Sequence, residues 1–103
     1  MGSIKIRAKL KGEITEVRTL IKHKMETGLR KDKKTKKLIP AHFIQEVTAK
    51  HGDIEIVHAH WGGAISKNPY FSFQFKGGKV GDDVTISWID NKGEKDSATA
   101  KIK

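Results

Sequence analysis

The 103-residue sequence contains no cysteine, and none of its apolar runs is long. Without cysteine the chain can form no disulfide, has no thiol nucleophile and offers no thiolate to a metal ion. No segment approaches the roughly 18 to 20 apolar residues that a membrane-spanning helix needs. These absences exclude a disulfide-stabilised scaffold, a cysteine-dependent enzyme and a helical membrane protein.

A secretory leader is also missing from the start of the sequence. Met1 to Ser3 is followed closely by the cations Lys5 and Arg7, and no apolar middle region intervenes. We therefore expect that this polypeptide does not direct its own export. A leader has been removed, or a partner carries the export signal, and Met1-Gly2-Ser3 is equally consistent with a remnant of an expression tag.

Basic residues outnumber acidic ones by 21 to 12, which gives a formal charge of +9. Such an excess favours association with acidic proteins, nucleic acid or anionic membranes, and charge alone does not choose among them. The densest cluster, Arg30 to Lys37, has no apolar periodicity and is predicted to be a solvated loop. It lies within the polar segment from His23 to Leu38, which is long for a loop and is therefore a candidate for function or for disorder.

Alternation of apolar and polar residues predicts an all-β chain. Ile4 to Lys11 alternates strictly, and Thr15 to Lys22 follows with a break at Leu20-Ile21 that predicts a bulge. Turns containing glycine separate the segments. The remaining predicted strands are His42–Lys50, Ile54–Trp61, Tyr70–Lys76, a segment carrying Val84, Ile86 and Trp88, and a last segment carrying Ala98, Ala100 and Ile102. About seven short strands at this spacing indicate one domain over residues 1–103, an immunoglobulin-like antiparallel β-sandwich.

Aromatic residues are expected to form most of the core of this sandwich. Phe71, Phe73 and Phe75 share one strand face, and Trp61 or Trp88 would pack against them.

Histidine is the one residue type that suggests a metal site. His58 and His60 project from one strand face, with His51 or His42 as further candidates, but no carboxylate lies at a recognisable ligand spacing. If Val57, Ala59 and Trp61 face the core, the outer face carries both histidines with Ile54 and Ile56. We expect no metal, no other cofactor and no catalytic residue. Nucleic-acid binding is not expected either, because no zinc-finger, helix-turn-helix or aromatic ribonucleoprotein motif is present.

Four segments, taken together, resemble the SoxZ family. They are Lys24 to Asp32 (KMETGLRKD), Ile39 to Ile44 (IPAHFI), Trp61 to Pro69 (WGGAISKNP) and Trp88 to Gly93 (WIDNKG). They occur in the family's order and at similar spacings, so the resemblance covers nearly the whole chain. The pair His58 and His60 departs from the usual family pattern.

The resemblance implies a non-catalytic subunit of the periplasmic SoxYZ complex, which carries thiosulfate-derived sulfur while other enzymes oxidise it. The partner, SoxY, would bear the cysteine arm that carries the sulfur between enzymes, and this chain would form a heterodimer with it and present surfaces for transient docking of other Sox enzymes. Export together with that partner would explain the missing leader.

We expect the partner interface to combine the loop from Met25 to Lys31 with the segment from Ser66 to Tyr70. The residues assigned to it are Met25, Leu29, Arg30, Ser66, Asn68, Pro69 and Tyr70. Met25 and Leu29 are apolar residues in a polar loop, and they are equally consistent with plugging the end of the sandwich. A second hypothesis gives Arg30 to Lys37 a role in steering acidic partner enzymes. The alternative function is a stand-alone periplasmic immunoglobulin-like module that binds metal through His58 and His60.

Overall fold

Seven antiparallel strands form two facing sheets in the computed structural model, which describes residues 3–62, 65 and 67–103. The strands are β1 (Ile4–Lys11), β2 (Ile14–Ile21), β3 (Ile44–His51), β4 (Ile54–His60), β5 (Tyr70–Lys76), β6 (Asp83–Asp90) and β7 (Lys95–Lys101). One sheet has the order β1-β2-β5 and the other β4-β3-β6-β7. The predicted immunoglobulin-like β-sandwich is confirmed. No helix in the described chain is long and apolar enough to cross a membrane.

The predicted alternation accounts for the three-stranded sheet. Val17 of β2 faces the core between Ala8 of β1 and Phe73 of β5, and it is completely buried. The opposite face of β1 carries exposed cations such as Lys5 and Arg7. Because side chains alternate along a strand, one face of this sheet packs against the core and the other is solvated.

The predicted bulge at Leu20-Ile21 is wrong. β2 pairs with β1 in an unbroken register through Ile21, because the inward residues of β2 include two threonines that apolar periodicity does not detect. The register shifts lie in β3 instead, between Ile44 and Glu46 and between Ala49 and Lys50. The second shift changes which side chains of β4 point toward the core. Ile56 was expected on the outer face, but it packs against the core.

The core is mainly aliphatic, which corrects the expectation of an aromatic core. Of the aromatic residues in the described chain, only Trp88 is buried, and Phe71, Phe73, Phe75 and Trp61 are half-buried. The three phenylalanines lie on β5, an edge strand, which explains their partial exposure. The fully buried apolar side chains are those of Val17, Ile21, Ile44, Val47, Ala49, Val84, Ile86 and Ile102. Each large one contributes about 1.5 to 3 kcal/mol through burial.

The strand order gives the sandwich two different ends. The long connection 22–43, the described residues of the connection 61–69 and the turn 91–94 gather at one end, here called the loop end. The short turns 12–13 and 52–53 and the connection 77–82 gather at the other, here called the turn end. Both predicted candidate segments lie at the loop end.

Candidate functional site

The polar segment from His23 to Leu38 is a folded loop. Glu26 pairs with His42 and Lys31 pairs with Leu38 in antiparallel bridges, so the segment doubles back on itself. The Ile39 N–H donates to the Arg30 carbonyl at 2.7 Å. At the tip, Asp32 accepts hydrogen bonds from the N–H groups of Lys34 and Thr35, which hold the pKa of Asp32 below its ordinary value. These bonds give the loop a defined shape.

Arg30 already has a carboxylate partner within the chain. Its guanidinium binds both carboxylate oxygens of Glu26, one through Nη2 and the other through Nε at 3.3 Å. Hydrogen bonding from Arg30 holds the pKa of Glu26 below its ordinary value. This two-point contact lies inside the loop, and it fixes the side of the loop that precedes the tip.

The two apolar residues of the loop have opposite surroundings. Met25 is 5% exposed, and its sulfur accepts a hydrogen bond from the Ile44 N–H at 3.4 Å. Leu29 is 84% exposed. Met25 therefore plugs the end of the sandwich, whereas Leu29 is presented to solvent. Leu38, on the returning side of the loop, is also exposed.

The second predicted segment lies beside the base of this loop. Asn68 and His23 exchange two hydrogen bonds, from the Asn68 N–H to the His23 carbonyl at 3.0 Å and from the His23 N–H to Asn68 Oδ1 at 3.1 Å. Pro69 is buried next to them, and Tyr70 opens β5 with 60% of its surface exposed. Ser66 lies outside the described residues. The structure thus brings the two segments together, and their assignment to a partner interface stays a prediction.

A buried cluster of His23, His42 and Asp90 joins the loop to the four-stranded sheet. Both imidazoles meet Asp90 Oδ2 through Nε2, at 3.1 Å from His23 and 2.7 Å from His42. Asp90 Oδ1 accepts the N–H groups of Lys92 and Glu94 at 3.0 and 2.8 Å. The carboxylate therefore has four donors, and it ties β6, its following turn and the loop into one unit.

The proton positions in this cluster follow from its contacts. His23 Nδ1 accepts the Met25 N–H at 3.1 Å, so the ring proton lies on Nε2 and is donated to Asp90. Burial opposes ionisation of Asp90, but the hydrogen bonds from His23, His42 and the two backbone N–H groups outweigh it and hold its pKa below the ordinary value. The cluster is a satisfied hydrogen-bond network.

A second histidine cluster lies on the outer face of the four-stranded sheet. His58 and His60 stack with ring centroids 5.0 Å apart, and Glu46 of β3 lies opposite His60 in the strand register. The Glu46 oxygens are 3.9 Å from His58 Nε2 and 3.9 Å from His60 Nδ1. All three side chains are accessible to solvent, and no hydrogen bond closes the gaps between them.

Sequence reasoning did not find the partners of these histidines. His51 or His42 was a further candidate beside His58 and His60, but His42 binds Asp90 at the loop end and His51 binds Asp82 at the turn end, at 2.8 Å. The carboxylate beside His58 and His60 is that of Glu46, which comes from the neighbouring strand and lies at no recognisable ligand spacing in the sequence. Only the strand register supplies that information.

Comparison with known proteins gives one family match and several fold matches. A family model described as "Sulphur oxidation protein SoxZ" matches residues 4–101. No curated protein sequence matches the chain. Two solved structures of superoxide reductase (neelaredoxin) from Ignicoccus hospitalis share the fold. The T24K variant aligns with a TM-score of 0.65 and 18% identity, covering 98% of this chain and 78% of that one. The other aligns with a TM-score of 0.59 and 16% identity, covering 98% and 80%.

Proposed function

The chain belongs to the SoxZ family, and from that premise we propose that it is the non-catalytic subunit of a SoxYZ-type sulfur carrier. The family implies a role in the Sox sulfur-oxidation system. In the proposal a SoxY-type partner supplies the cysteine arm on which thiosulfate-derived sulfur is carried, and the heterodimer works in the periplasm. This chain stabilises the partner and presents it to other Sox enzymes.

The absence of cysteine supports this division of labour. A thiolate near a sulfur-bearing cysteine can attack a disulfide or persulfide and divert the cargo. A chain with no thiol cannot take part in that exchange. All covalent sulfur chemistry would then take place on the partner.

We place the partner contact at the loop end, and the exposure of Leu29 carries this assignment. Leu29 is 84% exposed on a loop that its own hydrogen bonds hold in shape, so its side chain contributes little to the packing of the isolated chain. Leu38 and Tyr70 add exposed apolar surface at the same end, and the loop that carries Leu29 is rich in exposed lysines. Apolar surface with a polar rim is typical of protein interfaces.

The experiment is native mass spectrometry of this chain with a co-expressed SoxY-type subunit. We expect a one-to-one complex in which sulfur-sized mass additions occur on the partner alone. Leu29→Ser should weaken the complex without lowering the melting temperature of the isolated chain. Val80→Ser is the matched control, because Val80 is similarly exposed but lies at the turn end. Equal binding by both variants would place the interface elsewhere, and no complex at all would remove the carrier proposal.

The basic loop tip is proposed to accelerate encounters with acidic partner enzymes. Lys33, Lys34, Lys36 and Lys37 lie at the tip and are exposed. Replacing the four with glutamine should lower the association rate and its salt dependence. The same number of replacements at Lys9, Lys76, Lys79 and Lys103, which lie toward the turn end, controls for net charge. Equal rates for both sets at low salt would contradict steering by the tip.

A further inference from the structure

We propose that Glu46, His58 and His60 form a binding site for a divalent transition-metal ion such as Zn²⁺ on the outer face of β3 and β4. The three side chains offer two imidazole nitrogens and a carboxylate, and these donor atoms lie within 4.8 Å of one another. Two nitrogens and an oxygen suit Zn²⁺, Ni²⁺ and Cu²⁺. This proposal does not depend on the sulfur-carrier function.

The strand register builds the site. His58 and His60 are two residues apart on β4, so both project from the same face of the sheet. Glu46 is paired with His60 across the strands, and Thr48 is paired with His58. The carboxylate therefore faces both rings.

The distances leave a gap that an ion could occupy. The His58 and His60 nitrogens are each 3.9 Å from a Glu46 oxygen, which is too long for a hydrogen bond. Two ligand atoms bound to one tetrahedral zinc ion lie about 3.4 Å apart. Each His–Glu pair therefore needs to close by about half an ångström, and these partly exposed side chains have the freedom to move together.

No hydrogen bond fixes the proton of the His58 ring. Its Nδ1 lies 3.8 Å from Glu55 Oε1 and its Nε2 lies 3.9 Å from Glu46 Oε2, and both distances are too long for a hydrogen bond. The ring is therefore free to present the Nε2 lone pair to a metal ion while Nδ1 keeps the proton. In the metal-bound form Glu55 would accept that Nδ1 proton, which makes it a positioning residue for His58. With Glu46 it also supplies negative charge on a chain whose net charge is +9.

The three donors leave at least one coordination position open toward solvent. A structural zinc site closes with four protein ligands, whereas a three-ligand site keeps a place for water or an exogenous ligand. Water or a group from a docked protein would fill that position.

Isothermal titration of the full chain with Zn²⁺ tests the proposal. We expect one ion per chain for the native protein and no binding at this site for the double variant His58→Ala/His60→Ala. Glu46→Gln should weaken Zn²⁺ binding at least about tenfold. Loss of a residue that only hydrogen-bonds to a metal ligand already lowers metal affinity by about that factor, and Glu46 is a direct ligand in this proposal. Glu55→Gln should have a smaller effect than Glu46→Gln.

His51→Ala is the matched control, because it removes a histidine at the turn end that binds Asp82. We expect this variant to bind Zn²⁺ as the native chain does. Since His58, His60 and Glu46 are accessible, their variants should fold, and a thermal melt checks this. Failure of the native chain to bind Zn²⁺, or unchanged affinity in the double variant, would overturn the proposal.

Discussion

The two histidine clusters use the same residue types and differ in what their second nitrogens contact. In the buried cluster His23 Nδ1 accepts the Met25 N–H, so Nε2 must carry the proton and donate to Asp90. In the exposed cluster His58 Nδ1 and Nε2 lie 3.8 and 3.9 Å from carboxylate oxygens and make no hydrogen bond, so no contact holds a proton on Nε2. A metal ion bound to His23 Nε2 would displace the ring proton to Nδ1. The proton would then point at the backbone N–H of Met25, which is unfavourable. The same imidazole and carboxylate groups therefore form a structural network in one place and a candidate ligand site in the other, according to the contacts around them.

Removing the centre of the buried cluster should have the largest effect. Asp90→Ala leaves two imidazole donors and two backbone N–H groups without their acceptor, so we expect a loss of about 3 to 5 kcal/mol in the free energy of unfolding. Asp82→Ala is the control at the turn end, where the His51–Asp82 pair is half-exposed, and should cost about 1 kcal/mol or less. Urea denaturation measures both. A similar, small loss in the two variants would mean that the buried cluster is not a structural centre.

The next largest effect should separate the two apolar residues of the loop. Met25→Ala removes a buried side chain from the end of the core, so we expect a loss of about 2 to 4 kcal/mol. Leu29→Ala changes an exposed side chain and should stay within about 0.5 kcal/mol of the native protein. A large loss from Leu29→Ala would show that Leu29 packs in the fold and would weaken its assignment to the partner interface.

Acid should weaken the protein through Asp90. Its native pKa lies below the ordinary value of 3.8, so the unfolded state takes up a proton at a higher pH than the native state does. The stability from ionised Asp90 is therefore present above pH 3.8 and is lost as the pH falls through the native pKa. The unfolding free energy of Asp90→Ala should fall less steeply below pH 3.8 than that of the native chain. Parallel curves for the two proteins would contradict this.

The exposed cluster should contribute least to stability. His58→Ala/His60→Ala removes two solvent-facing rings that have no hydrogen-bond partner within the described chain, so we expect a change within about 0.5 kcal/mol in the absence of metal. With Zn²⁺ added, the native chain should melt at a higher temperature and the double variant should not. A large loss without metal would mean that the stacked rings support the sheet.

The sequence predicts the strands well because alternation reports which face of a strand is buried. It also predicts the turns, because glycine readily takes the positive φ that tight hairpin turns require. Gly12 and Gly52 have such angles in two-residue connections. It fails where pairing between distant segments decides the outcome. The shift at Ala49 and Lys50, which turns Ile56 toward the core, has no local signature.

The same limit applies to the candidate sites. Both Asp90 and His42 belong to segments that carry the family resemblance, but their contact spans 48 positions in the chain. Glu46 and His60 are neighbours only through the register of β3 and β4. Leu29 and Met25 look alike in sequence, and only the folded loop separates the buried residue from the exposed one.

Hydrogen–deuterium exchange of the chain, alone and bound to a SoxY-type subunit, tests the docking assignment most directly. We predict that binding protects the backbone amides of residues 26–38 and 67–70 at the loop end. Amides at the turn end, in 52–53 and 77–82, should exchange at the same rate in both states. Protection confined to the turn end or to the outer face of β4 would contradict the account.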